Sequence, residues 1–183
     1  AALAQRGVLY ADLRAPLADA ENLTYHKRDT HWNGEGARIA YNAILDVLEF
    51  SRDDFSAYPT VRTTDFPGDL DGMLYPGSEK TDDNYMPQYD FDSAFVYTSA
   101  GAAPMAMSLS TRGGGEGSLL IFRDSFGSAL IPYFSASFRD VRYERAMPYR
   151  IDLLARNPAD AVIIEIAERN IPLLLPDAAR TDG

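Results

Sequence analysis

Two histidines occur in 183 residues, and one of them, His31, stands two positions after Asp29 and directly before Trp32, the sole tryptophan, in "RDTHWNGEG" at residues 28–36. Farther along, "LLIFRDSFGSALI" places Ser125 where an apolar run gives way to a second pattern through a tight turn. A serine hydroxyl is a poor nucleophile near neutral pH unless a base takes its proton. That base is usually a histidine, held in the right tautomer by a carboxylate. A serine on a strand-to-helix turn has its hydroxyl pushed out at the sheet edge, with its own N–H aimed at the same space near the positive end of the helix. Nucleophile and oxyanion donor then come together. Ser125, His31 and Asp29 are therefore the candidate acyl-transfer residues.

Other uses of the same residues stay open at this point. A serine after a strand is often a plain helix N-cap, Asp-x-His is common by chance, and Trp32 alone reads as core. Asp29 and His31 could instead ligate zinc or iron, yet a catalytic site typically takes three protein ligands. His26 is the one other imidazole. No metal and no cofactor is expected.

The elements that must position these groups follow from the apolar spacing. "AALAQRG" reads as a last helical turn stopped at Gly7, "VLYADLR" as a short strand, and "PLADAE" as a helix opened by Pro16. Ala37, Ala40, Tyr41, Ile44, Leu45 and Leu48 recur at helical spacing, which predicts a helix over about 35–50 with Asn33 as N-cap. His31 then lies on the loop before that helix. Residues 51–116, rich in Pro, Gly, Asp and Tyr, read as an antiparallel β-rich insertion without helical period, closed by the turn "RGGGEG". Its tyrosines could stack on sugar rings, but packing is the stronger reading. From residue 118 onward strands alternate with helices: "SLLIF", "SALIPYFSASF", "DVRYER", "YRIDLLARN" and "AVIIEIAE". Pro132 inside the first helix predicts a kink or early break. This alternation predicts a parallel sheet covered on both faces, with ligands at the carboxyl ends of its strands, where Ser125 stands.

Length fits a single domain spanning residues 1–183, with the stretch 51–116 inserted in it. A chain that opens on the end of a helix, without Met, reads as N-terminally truncated. The net charge of −10 argues against nucleic acid and anionic membranes as partners. Cysteine is absent, which removes disulfides and thiolate nucleophiles. No apolar run approaches the roughly 20 residues of a membrane span.

The segment "YHKRDTHWNGEGARIAYNAIL" resembles the signature of the AlgJ/AlgX alginate O-acetyltransferase group and the related DHHW proteins, within the SGNH (GDSL-like) hydrolase superfamily. Tyr25, Asp29, His31, Trp32, Gly36 and Ala37 stand at the matching places. "FRDSFG" resembles the later serine motif, with Arg123 in place of a glycine, and "VIIEIAERN" the final strand. The resemblance spans residues 3–50 and 118–175. It implies a three-layer α/β/α SGNH-like fold with a permuted motif order, since Asp29 and His31 precede Ser125. It further implies Ser125 as nucleophile, His31 as general base and acid, and Asp29 as the orienting carboxylate. No separate G-x-N block is evident, so Asn170 is the expected oxyanion donor and Trp32 an expected substrate contact. The implied function is O-acetylation of an exported polysaccharide by an extracytoplasmic enzyme, the acetyl group arriving from a donor such as a membrane partner protein. The alternatives are a carbohydrate acetyl esterase working on a polysaccharide or small ester, and a non-catalytic carbohydrate-binding or scaffold member.

Overall fold

The computed structural model describes residues 2–174. They divide into two compact units, Ala1–Tyr89 and Asp90–Gly183, each taken by itself below.

The first unit opens with α1 (Ala2–Gln5), which ends as expected near Gly7, where φ is +71°. The run "VLYADLR" does not form a strand; residues 8–13 are irregular and lead into α2 (Arg14–Ala18). Val8, Leu9 and Tyr10 are exposed, so this run lacks the sheet neighbour that would make a strand of it. The predicted long helix is α3 (Gly34–Leu48), whose Ala37, Ala40, Tyr41 and Leu45 are buried. Asn33 caps it: the side-chain oxygen accepts from Gly36 N–H (3.0 Å), while the amide nitrogen donates to the Leu23 carbonyl (2.6 Å). A second orphan N–H, that of Gly34, donates to Asn84 Oδ1 (2.8 Å). The "NGEG" glycines are a matter of space. A Cβ on Gly36 would overlap the Thr24 carbonyl oxygen, and one on Gly34 the Tyr85 carbonyl and Met86 sulfur. Asn33→Ala removes the cap and orphans the Leu23 carbonyl, and should cost about 1–2 kcal/mol in urea unfolding. A loss below the measurement error would contradict the capping role.

The unit is completed by a hairpin, β1 (Thr60–Pro67) antiparallel to β2 (Thr81–Pro87), with α4 (Asp69–Leu74) in its connection. The predicted antiparallel pairing in this part of 51–116 is present, and the absence of helix there is corrected by α4. The register slips between Thr63 and Phe66.

The second unit is built on a five-stranded sheet in the order β3-β4-β6-β5-β7: β3 (Phe95–Tyr97), β4 (Ser108–Gly113), β5 (Ser118–Phe122), β6 (Asp140–Glu144) and β7 (Ala161–Ile164). The short α5 (Phe91–Ala94) leads into β3. As the alternation predicts, β5 lies parallel to β6 and to β7. The sheet is mixed, however, because β4 runs antiparallel to β6 and β3 antiparallel to β4. Residues 51–116 therefore split: their first part pairs in the hairpin, and their last part extends this sheet. "PMAMSLST" alternates in a way that suits a half-covered antiparallel strand.

Both faces of β5 are covered. Leu120 and Phe122 pack with Tyr149, Met147, Ile166 and Leu174. On the other face, Leu119 and Ile121 pair in register with Val141 and Tyr143, under α6 (Ile131–Ser137). There the Tyr143 hydroxyl reaches the Ile131 carbonyl (3.2 Å) and Ser135 Oγ (2.8 Å), and Thr111 Oγ1 donates to Ser135 Oγ (2.8 Å). These buried hydroxyls thus satisfy one another. Pro132 falls in the first turn of α6, where no N–H is missed. A 3-10 turn, Phe126–Leu130, precedes it, so the predicted break comes before the proline. "YRIDLLARN" forms a 3-10 helix over Ile151–Ala155 and no α-helix. Among the described residues, no helix is long and apolar enough to cross a membrane.

Candidate active site

In the first unit, the loop bearing His31 is pinched shut at its base. Tyr25 and Trp32 form an isolated antiparallel bridge, His26 N–H donates to the His31 carbonyl (3.3 Å) and Asn33 N–H to that of Thr24 (3.0 Å). The loop tip is then held by the hairpin. Asp82, almost wholly buried, accepts from the Arg28 N–H and guanidinium, and Leu70 N–H donates to the Arg28 carbonyl (3.1 Å). His26 is part of this frame: its Nδ1 donates to the Asp83 carbonyl (2.9 Å) and its ring stacks on Phe66 at 3.9 Å.

Within this frame Asp29 and His31 are brought together. Asp29 Oδ1 accepts both from His31 Nδ1 (2.7 Å) and from the His31 N–H (2.8 Å), while Oδ2 accepts from the Asp69 N–H (2.9 Å) in the first turn of α4. Burial pushes the Asp29 carboxyl up, but the Asp69 N–H and the His31 ring and N–H outweigh it and hold Asp29 below the usual carboxylate range. A carboxylate can only accept, so Nδ1 carries the proton and Nε2 is the nitrogen suited to act as base. Trp32 is 5% exposed, which favours packing over substrate contact.

In the second unit, Ser125 follows β5 at the head of the 3-10 turn with ordinary backbone angles (φ −69°, ψ −27°) and makes no side-chain capping bond. The plain N-cap reading therefore does not describe it. Ser125 and Asn170 line one open cavity of about 450 Å³, together with Asp124, Arg145, Met107 and Met147. Asp124 ties the two ends of this cavity: Oδ1 accepts from Phe126 N–H (2.8 Å), and Oδ2 from Ala167 N–H (2.8 Å) and Asn170 Nδ2 (2.7 Å). Asn170 thus lines the same cavity as Ser125, with one amide hydrogen spent on Asp124. Arg123, fully buried, donates to the carbonyls of Asp124 (3.1 Å) and Pro104 (2.6 Å) and to Ser128 Oγ (2.9 Å), bracing the turn from beneath.

Glu165 supports the same turn, its Oε2 accepting from Asp124 N–H (3.1 Å). The residue as a whole is half-buried, but its carboxyl is enclosed, and burial together with the Asp124 charge pushes it up to about 8. A carboxyl raised above its unfolded value near ~4.3 stabilises the fold fully below that value and loses this contribution as pH rises through the folded value. Glu165→Gln should therefore show a flatter thermal midpoint than the native chain between about pH 4.5 and 8.5. Parallel curves would contradict the assignment.

The tyrosines of the middle segment divide: Tyr58 and Tyr89 pack, while Tyr75 and Tyr97 are exposed. Tyr89 stacks edge-on against Phe55 and Tyr58, and Phe91 against Tyr133.

A family model, the SGNH hydrolase-like domain of the acetyltransferase AlgX, matches residues 1–104. The chain belongs to the AlgX SGNH hydrolase-like family. The match carries the "RDTHW" loop and runs through most of the middle segment, ending before Ser125. Solved structures share the α/β fold of this AlgX-family chain. A DHHW family protein from Eubacterium siraeum has a TM-score of 0.63 at 22% identity, over 86% of this chain and 64% of that one. PatB1 of Bacillus cereus gives 0.57 at 17%, over 80% and 63%. The O-acetyltransferase domain of Pseudomonas putida AlgJ gives 0.51 at 19%, over 93% and 63%. The chain spans slightly less than two thirds of each of these structures. Among curated proteins, none matches in sequence.

Sequence reasoning missed Asp69, Asp82 and Glu165, and noted Arg123 only as a departure from the serine motif. Glu165 had a signal, an acid at the end of an apolar run. The hairpin acids had none, because nothing local ties them to the loop they hold.

Proposed function

We propose that this AlgX-family chain transfers acetyl groups through Ser125 to hydroxyls of an exported polysaccharide, outside the cytoplasm. Ser125 Oγ attacks the carbonyl of an acetyl donor while His31 Nε2 takes its proton. The Ser125 N–H and the remaining Asn170 amide hydrogen stabilise the oxyanion, and His31 returns the proton to the leaving group. The acetyl-serine is then attacked by an acceptor hydroxyl whose proton passes to His31, and the serine is regenerated. A membrane partner protein is the proposed acetyl source. Ester hydrolysis is the same sequence with water as acceptor.

The observation that carries this reading is the Asp29–His31 pair at 2.7 Å, with Nδ1 committed to the carboxylate. Membership of a family described by an acetyltransferase supports acetyl as the group transferred. Turnover of p-nitrophenyl acetate by the native chain and by Ser125→Ala tests it. Adding oligosaccharide and weighing the products separates transfer from hydrolysis.

A further inference from the structure

We propose that Asp69 is a positioning residue for His31, acting through the Thr30 hydroxyl and through Asp29. The inference rests on reading His31 as the general base. Asp69 Oδ1 accepts from the Thr30 N–H (2.9 Å), and Oδ2 from the Thr30 hydroxyl (2.7 Å). The same Thr30 Oγ1 lies 3.3 Å from His31 Nδ1. Because its one hydrogen goes to Asp69, Thr30 can only accept on that side. It therefore reinforces a protonated Nδ1, as Asp29 Oδ1 does from the other direction. Asp69 Oδ2 itself stands 3.8 Å from Nδ1. Asp69 also contributes its backbone N–H to Asp29 Oδ2 (2.9 Å), which leaves Oδ1 aimed at the ring. One residue on α4 thus sets both acceptors of the Nδ1 proton.

Asp29, His31 and Asp69 also have ligand atoms within 4.8 Å of one another, the raw material of a cation site. The hydrogen bonds argue for positioning instead. Each carboxylate oxygen of the pair already accepts from an N–H or O–H, and Nδ1 presents a proton to Asp29 where a ligand would present a lone pair. A cation would have to displace that set.

The test exploits the two histidines of the chain, with His26 as internal control. In 15N-histidine-labelled protein, His31 should show protonated Nδ1 and unprotonated Nε2 when neutral, with an Nδ1–H slow to exchange. In Asp69→Asn the side-chain amide can turn its NH2 to Thr30, freeing that hydroxyl to donate toward Nδ1. The two tautomers should then mix, and Nδ1–H exchange should quicken by about tenfold, with His26 signals unmoved. Acetyl-ester kcat should fall by about tenfold with KM unchanged. Thr30→Val, which removes the hydroxyl as an acceptor and supplies no donor in its place, should quicken Nδ1–H exchange while His31 keeps its proton on Nδ1. His31 signals unchanged in both variants would overturn the proposal. So would stoichiometric zinc that shifts His31 in the native chain and not in Asp69→Asn, since ligation would then explain the cluster. The ring signals are read without turnover. If Ser125→Ala matches the native rate while the His31 shift persists, the acyl-transfer reading fails and the positioning of the ring stands.

Discussion

Ser125→Ala is expected to lower p-nitrophenyl acetate turnover by about four to six orders of magnitude if Ser125 and His31 are nucleophile and base as proposed, since members of such a unit fail together. The same substitution should abolish covalent labelling: a sulfonyl fluoride should add one sulfonyl group to the native chain, seen in the intact mass, and none to the variant. The expectation has a local basis. The turn around Ser125 is held by Asp124, Arg123 and Glu165, so Ser125→Ala should leave it standing. The thermal midpoint should then move little, and a lost rate cannot be blamed on unfolding. His31→Ala in the Ser125→Ala background should add almost nothing to the loss. Equal slow rates in native chain and variant, with the adduct still formed, would remove Ser125 from the chemistry.

How far the sequence could carry this reading depends on the range over which each feature is encoded. The α3 helix is written locally: Asn33, two tight glycines and an apolar stripe all lie within its own span. So is β5, whose short apolar run ends at the turn before Ser125. The Asp29–His31 pair is nearly as local, because two residues of loop suffice to bring carboxylate to ring. What holds that pair is not local. Asp69 and Asp82 reach back from a hairpin that begins well past α3, and no spacing rule links them to "RDTHW". The fate of residues 51–116 was hidden for a related reason. Strand character is visible in a sequence, but the partner of a strand is not, so "PMAMSLST" gave no sign of joining β6, nor "SAFVYTS" of joining β4. The failure of "VLYADLR" is the converse, a strand-like run that meets no sheet.

Asp29→Asn should be the most informative change in the first unit, because an amide cannot satisfy the three donors that the carboxylate satisfies. With its oxygen toward His31, the NH2 faces the Asp69 N–H, donor against donor. With its oxygen toward Asp69, the NH2 faces Nδ1 and forces the proton onto Nε2, the nitrogen proposed as base. The first orientation leaves a half-buried N–H unpaired at the start of α4, a loss of about 1–3 kcal/mol in urea unfolding. The second gives the wrong tautomer and lowers kcat by about 10³–10⁴ with KM nearly constant. Acid behaviour provides an independent check. Asp29 is held below its ordinary range by the Asp69 N–H and His31 against the push of burial, so its contribution to stability is present above the unfolded value near ~3.9 and is lost as pH falls through the lower folded value. The native chain should therefore lose stability in acid more steeply than Asp29→Asn, the two curves converging as pH falls below the folded value. A variant that keeps the native rate, or that keeps the native acid limb, would show that Asp29 neither orients His31 nor holds the loop to α4.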